Sequence, residues 1–485
     1  MSDYDLLIIG GGINGAAIAR EAALNGLKVL LVEKNDLASG TSSASTKLIH
    51  GGLRYLEYYE FKLVREGLIE RERLLKAAPH LIYPLEFVLP HQNTLRPRWM
   101  IRAGLFLYDH LGGRISLPRS RAIGAKDRAF LAPLSKAKSG FVYSDAWVDD
   151  ARLVVLNARD AADNGAEVRT RTELISARRD GGVWRAMLSG GEVTARALVN
   201  AAGPWIGEVE ARLGVNAKAR VRLVRGSHII VPRLFAGEHA YILQQPDRRI
   251  VFAIPYRNET TLIGTTDIPV DDPGAARIGE EETDYLLAAV NRYFTKQLLR
   301  ADIVSTFAGI RSLYDDGASE ARQVTRDYVL ELDADGPPLL SVFGGKITTA
   351  RHLAEVAVGK LARALNIPFK PATLDRRFPG GDLFRSVETY SQELNWQWPQ
   401  IGDARLRRWV RAYGSLIDQM MADRFTLTDP MLGEEFGAGL TAREVDWLVE
   451  REWARSVEDI LWRRTKLGLT GEVDEARLQA YLDRR

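Results

Sequence analysis

The chain has 485 residues, of which 46% are hydrophobic and 27% charged. That balance suits roughly two to four folded domains and excludes disorder as the main state. There is no cysteine, so disulfides, thiolate nucleophiles, cysteine-ligated zinc and iron–sulfur clusters are excluded together; Lys+Arg 66 against Asp+Glu 63 leaves +3, and nothing global points to nucleic acid.

Met1–Asp5 has neither a basic n-region nor a cleavage site, and no apolar run approaches the ~18–20 residues of a membrane span. The expected location is the cytoplasm, or the surface of a membrane without crossing it. Leu6–Ile9 is an unbroken apolar run, as a doubly buried strand requires. Ala16 to Gly26 reads as a helix ending at glycine, and Lys28–Glu33 as a second buried strand. Residues 56–77 read as a charged helix; Pro79, Pro84, Pro90 and Pro97 keep 79–97 extended or looped. Residues 149–164 are helical in pattern, and short strands follow from 166 to 200. Between 220 and 266 the chain alternates and is β-branched, with Tyr256-Arg257-Asn258-Glu259 as a hairpin loop, which is antiparallel sheet. Leu339–Phe343 is another buried strand, followed by a helix over 347–364; prolines and glycines between 368 and 384 mark a linker, and 385–485 is mostly helical.

Gly10-x-Gly12-x-x-Gly15 follows a strand and opens a helix. The first glycine permits the tight turn, the second lets backbone approach a pyrophosphate, and the third lets helix pack on strand. The helix N-terminus offers free N–H groups to the anion. Glu33 ends the second strand, where a carboxylate accepts from a ribose hydroxyl. This pattern does not choose NAD over FAD. Val199–Trp205 and Ser341–Lys346 are further strand ends running into small residues; each alone reads equally as an ordinary βα turn. A dinucleotide touched near residues 10, 42, 203 and 345 fits FAD buried along a domain. Thr41–Tyr55 is rich in hydroxyls and ends His50-Gly51-Gly52-Leu53-Arg54-Tyr55, which supplies donors for phosphate oxygens and backbone able to approach a ring.

Gly10–Gly15 with Glu33, Thr41–Tyr55, Asp145–Leu153, Gly264-Thr265-Thr266-Asp267, Gly309-Ile310-Arg311, Thr325-Arg326-Asp327-Tyr328, Phe343–Lys346 and Leu461–Lys466 together resemble the FAD-dependent aerobic, quinone-linked glycerol-3-phosphate dehydrogenases. Ser312 departs from the pattern, where a proline is expected after the arginine. The resemblance implies an α/β fold: a Rossmann-like FAD-binding domain, an antiparallel β substrate domain and a C-terminal helical domain. The expected extents are 1–78 with 141–210 and 325–367 for the first, and 79–140 with 211–324 for the second. The linker is 368–384 and the C-terminal domain 385–485. It implies oxidation of sn-glycerol 3-phosphate to dihydroxyacetone phosphate, electrons passing to ubiquinone or menaquinone, and a homodimer on the inner face of the cell membrane. Arg54, Tyr55, Arg311 and Lys346 fall on substrate-pocket positions, with His50 and Thr266 beside them. Expected FAD contacts are Gly10, Gly12, Ile13, Asn14, Gly15, Glu33, Thr41, Ser42, Ser43, Lys47, Leu48, His50, Gly51, Ala202, Gly203, Trp205, Gly345, Lys346 and Thr348.

The residue chemistry runs the same way. A phosphate dianion calls for two or three cationic donors, and Arg54, Arg311 and Lys346 are the set. Hydride leaves C2 for the flavin while a base takes the hydroxyl proton; His50 and His228 are the candidates. Residues 96–128 interleave Arg96, Arg98, Arg102, Arg114, Arg119, Arg121, Lys126 and Arg128 with Trp99, Phe106 and other apolar residues, as an anionic membrane surface requires; a helix docked on its own protein has the same pattern. The competing readings are an oxidase using oxygen, a related amino-acid or hydroxy-acid oxidase, and a flavin-binding membrane module without turnover.

Overall fold

The computed structural model describes every residue except Met1, 92–95, Arg114, 216–219, Asn258, 316–326 and 423–431. Arg114 of the basic segment, Asn258 of the hairpin loop, and Thr325 and Arg326 therefore lie outside the described residues.

Among the described residues, eight strands form the first sheet. Its path runs Val329–Asp333, Leu339–Phe343, Gly191–Asn200, Tyr4–Ile9, Val29–Val32, Glu167–Arg169. From Leu339–Phe343 onward these neighbours are parallel. Leu6–Ile9 and Val29–Val32 are buried throughout, which is why they read as unbroken apolar tracts. Helices Ile13–Leu24, Asp150–Asp163 and Ala350–Ala364 share one core with this sheet, and their many alanines let backbones approach closely. The carboxyl ends of three central strands thus come together at Gly10, Ala201–Gly203 and Gly344-Gly345. Ligands of such sheets bind there.

The second sheet, among the described residues, has ten strands and is antiparallel except where Ile82–Pro90 meets Ala240–Gln244. Its spine is Val221–Pro232 against Ser305–Tyr314, with Gly226 opposite Gly309 and Val224 opposite Arg311. Leu48–Ile49 and Gly140–Val148 also join this sheet. The expected grouping of 141–210 with the flavin domain is therefore divided. Gly140–Val148 pairs with Ile82–Pro90, because Phe141 and Tyr143 complete a core with Phe87 and Leu89; the helix Asp150–Asp163 returns to the first sheet.

Between Ala364 and Val387 the chain runs without helix or strand. The C-terminal helices, among them Asp403–Tyr413 and Ala442–Glu452, bury Trp409, Tyr413 and Leu448 in a core that continues into Leu74, Leu153 and Leu156. Buried ion pairs fasten this region to the flavin half. Asp36 takes Arg463 at 2.7 Å and Arg464 at 2.8 Å, and Arg152 pairs with Glu452.

Candidate active site

The strand Tyr4–Ile9 turns at Gly10, whose φ of +110° suits glycine, and a Cβ there would lie 2.6 Å from the Ala201 carbonyl oxygen. A Cβ on Gly15 would overlap the Gly10 carbonyl, so the helix rests directly on the turn. Gly12 differs: a Cβ there meets only Ser42 Oγ, at 3.2 Å, and otherwise points into open space. Ser42 Oγ accepts from Ile13 N at 3.0 Å at the start of helix Ile13–Leu24, where no side chain of the N-cap residue satisfies the first turn. Glu33 accepts from Gly11 N at 2.7 Å and from Asn35 N at 2.9 Å, and burial raises its carboxyl above the ordinary range. Asn14 donates to Gly344 O at 3.1 Å, while its Oδ1 is buried with no hydrogen-bond partner.

Gly10, Gly12, Ile13, Asn14, Glu33 and Ser42 line a cavity of about 360 Å³. Of the expected cofactor contacts, Gly10, Gly12, Ile13, Asn14, Glu33, Thr41, Ser42, Leu48, His50, Ala202, Gly203, Trp205, Gly345, Lys346 and Thr348 are on its wall. Gly15, Ser43, Lys47 and Gly51 are not. Lys47 is fully buried and turned away, its Nζ bonded to Asp150 at 2.8 and 2.9 Å and to Ser43 O at 3.0 Å. Gly51 N donates to Tyr108 Oη at 2.8 Å, behind the wall.

A second cavity, about 190 Å³, adjoins the first, and Thr46, Leu48, His50, Tyr55 and Arg311 line both. Gly52, at φ +79°, starts the short helix Leu53–Tyr58 that brings Arg54, Tyr55 and Tyr58 to this chamber. One terminal nitrogen of Arg54 is buried with no hydrogen-bond partner among the described residues. Arg311 pairs with Asp267 and donates to Thr265 Oγ1 at 2.8 Å. Phe87, Tyr143, Ile242, Ile250 and Phe252 form the apolar side. Lys346 Nζ stands 4.2 Å over the Tyr55 ring.

Both candidate histidines are neutral at pH 7. Burial lowers His50 to about 4, helped by Lys346 and Arg71. Burial likewise pushes His228 well below the ordinary value, with Arg311 and Lys47 adding to it. His228 lines the first cavity, stacks on Phe307 at 4.7 Å and has Nε2 3.0 Å from Thr46 Oγ1. Thr266 lines neither cavity. It is fully buried, donating to Glu282 at 2.6 Å and accepting from Ser227 N at 2.9 Å, so it braces the wall from behind. Thr46, Thr265 and Asp267 were not picked out as site residues; the signal available was their place in two motifs already noted, with nothing local to say which way they point.

The cradle fits FAD: a helix N-terminus whose own N-cap residue has no side chain to cap it, an open space at Gly12, an acceptor at Glu33 and Asn14 with its orphaned amide oxygen all belong to the wall of one cavity. Residues 5–351 match the family model described as FAD dependent oxidoreductase. The chain belongs to that family. Residues 371–481 match a second model, the C-terminal domain of alpha-glycerophosphate oxidase. The chain is 52% identical to a glycerol-3-phosphate dehydrogenase of Pseudomonas aeruginosa, covering 99% of this chain and 95% of the relative. It is 48% identical to a D-erythritol 1-phosphate dehydrogenase of Brucella abortus, covering 99% and 97%. The glycerol-3-phosphate dehydrogenase of Bacillus halodurans, solved in complex with FAD, superposes with a TM-score of 0.77 at 28% identity, covering 100% of this chain and 91% of that one.

Proposed function

We infer that this chain is an FAD-dependent dehydrogenase that oxidises sn-glycerol 3-phosphate to dihydroxyacetone phosphate. The observation that carries the reading is the small chamber joined to the flavin cavity, with a buried Arg54 nitrogen that has no hydrogen-bond partner. An unpaired buried cationic donor is costly until a ligand completes it, and a phosphate suits a guanidinium. Lys346 and Arg311 add positive charge near the junction, although Arg311 is itself paired.

Oxidation takes the C2 hydrogen as hydride and the hydroxyl hydrogen as a proton. FAD, when bound, supplies the hydride acceptor. His50 lines both cavities and is neutral, so it is placed to receive the proton. Arg311 steadies the negative charge that builds on the substrate oxygen. His228, stacked on Phe307 and tied to Thr46, holds the wall between them.

Electrons then pass to ubiquinone or menaquinone at an anionic membrane. Support comes from the outer surface of the same region. Tyr59, Phe61, Trp99, Met100, Phe106 and Leu107 are exposed on segments that pack against one another, while Ile101, Leu105 and Tyr108 turn inward. Arg98 and Arg102 are exposed on the same helix as Trp99 and Phe106, and Arg119, Arg121, Lys126 and Arg128 are exposed further along the basic segment. Such a face suits the interface of an anionic leaflet. Among the described residues no helix is long and apolar enough to cross a membrane, so the proposed attachment is peripheral. The resemblance adds a homodimer, which light scattering of the detergent-solubilised enzyme checks.

The deciding test is anaerobic titration of the yellow protein. Glycerol 3-phosphate should bleach the flavin and unphosphorylated glycerol should not. D-Erythritol 1-phosphate is the second substrate to try, because the Brucella relative carries that name and the chamber extends along Ile242, Ile250 and Phe252. Bleaching by the tetritol phosphate alone would replace the substrate; bleaching by neither would sink the dehydrogenase reading.

A further inference from the structure

Two of the sequence motifs, Asp145–Leu153 and Leu461–Lys466, carry no role in the reaction above, yet they meet behind the loop that cradles the flavin. Asp150, fully buried, holds that loop at two points. It accepts from Ser45 N at 3.1 Å and Ser45 Oγ at 2.8 Å, and from Lys47 Nζ at 2.8 and 2.9 Å. Lys47 Nζ also donates to Ser43 O at 3.0 Å, and Lys47 N to Ser45 Oγ at 2.9 Å, so the turn 43–47 closes on this one carboxylate. On its other side the loop is wall of the flavin cavity, through Thr41, Ser42, Ala44, Ser45 and Thr46. Lys47 brings one positive charge to two adjacent carboxylates, Asp149 and Asp150. A second comes from the C-terminal region: buried Lys466 has its Nζ 4.0 Å from each, and donates to Trp462 O at 2.8 Å. Arg257, which is exposed, stands 4.0 Å from Asp149.

We propose that Lys466 is a positioning residue for FAD: by holding Asp150 from the C-terminal side it fixes the turn 43–47, which makes the C-terminal region part of the cofactor site. Two buried carboxylates side by side need two counter-charges. Without the second, one of them takes a proton or the pair moves apart, and the hold of Asp150 on Ser45 and Lys47 weakens. The turn then loosens beside Ser42, whose hydroxyl accepts from Ile13 N where the cradle helix starts. Burial lowers the Lys466 ammonium to about 8, with Lys47 and Arg257 adding to the effect against the pull of Asp149 and Asp150. Lys466 is thus charged at neutral pH and loses its charge as pH rises through about 8, whereas an arginine in its place stays charged. A cavity of about 350 Å³, lined by Lys47, Phe307, Trp462 and Lys466, leaves room for the larger guanidinium. Of the other ionisable groups on that cavity, Tyr256 is held neutral by burial, and Arg463 and Glu458 pair with each other.

The test compares wild type with Lys466→Met, which nearly keeps the length and removes the charge, and with Lys466→Arg, which restores the charge. FAD affinity of each full-length apoprotein is measured by fluorescence quenching at pH 7 and pH 9, and amide hydrogen exchange is followed in the same apoproteins without cofactor. Lys466→Met should bind FAD about tenfold more weakly than wild type at pH 7. Wild type should weaken toward that level at pH 9, Lys466→Met should change little between the two, and Lys466→Arg should keep the wild-type pH 7 affinity at both. The amides of Ser45 and Lys47, whose hydrogen bonds close the turn, should exchange at least tenfold faster in Lys466→Met, with the strand Tyr4–Ile9 as protected as in wild type. Wild-type FAD affinity in Lys466→Met, a Lys466→Arg protein as weak as Lys466→Met, or the same fall with pH in wild type and Lys466→Met overturns the proposal. So does faster exchange that extends equally to Tyr4–Ile9, which would mark a general loss of stability.

Discussion

Replacing Gly12 by valine separates the cofactor from the fold. A Cβ at Gly12 finds only Ser42 Oγ, at 3.2 Å, and otherwise projects into the cavity; at Gly15 it would overlap the Gly10 carbonyl. Gly12→Val should therefore fold, while filling space that the FAD pyrophosphate needs at the start of helix Ile13–Leu24. Each hydrogen bond to a charged group contributes about 1.5–3 kcal/mol, so losing two costs about 3–6 kcal/mol, roughly 10²–10⁴ in FAD affinity. The assay has two arms: flavin content and FAD titration by fluorescence quenching, and circular dichroism with thermal melting of the apoprotein. The expected result is a colourless Gly12→Val protein with near-wild-type secondary structure, beside a Gly15→Val protein that fails both arms. A Gly12→Val protein that stays yellow at wild-type affinity would refute the cradle assignment.

Arg54→Ala should lower kcat/KM for glycerol 3-phosphate by about 10–150-fold, the equivalent of one charge-assisted contact, and change turnover of glycerol little; equal losses on both would point to flavin or folding damage. Asp36→Ala removes the carboxylate that buried Arg463 and Arg464 share, leaving them Asp459 and Glu452, and should cost about 1.5–3 kcal/mol in urea unfolding; a loss below about 1 kcal/mol would show that the C-terminal region docks without that clamp. Glu210 is raised from 4.5 to about 7 by burial and by neighbouring Glu331. The folded state then holds its proton more tightly than the unfolded chain does, so stability falls as pH rises from 4.5 through 7. Glu210→Gln should accordingly raise the stability read from unfolding at pH 8.5, by on the order of 1 kcal/mol once its partial exposure is discounted, and leave it nearly unchanged at pH 4; the same gain at both pH values would refute the linkage. Trp99→Ser with Phe106→Ser removes two exposed aromatics and should reduce binding to anionic liposomes and slow quinone reduction, with dye-linked turnover preserved; undiminished liposome binding would move the membrane face elsewhere.

The flavin half was legible in the sequence because its determinants are local. A buried strand, a glycine turn and a helix start within Leu6–Gly15 already state the geometry that a pyrophosphate meets, since backbone dihedrals and helix termini depend on near neighbours. The antiparallel character of 220–266 was readable for the same reason, from side-chain alternation. Destinations of long polar side chains were another matter. Lys47 sits among flavin-loop residues in the chain, yet Asp150 draws it away from the cavity. Thr266 and Asp267 are adjacent in sequence, but one is pinned behind the wall by Glu282 and the other faces the chamber beside Arg311. Gly140–Val148 joined the second sheet because Ile82–Pro90 needed its apolar face. Arg463 and Arg464 gained a purpose only when Asp36, far away in the chain, met them in a buried cluster. The sequence by itself determined the dinucleotide cradle and the kinds of strand and helix. The tertiary structure decided which charges neutralise one another and which face the ligand, because a buried charge goes where a partner lies, and those partners come from segments separated by 44 residues for Asp267 and Arg311, 103 for Lys47 and Asp150 and 427 for Asp36 and Arg463.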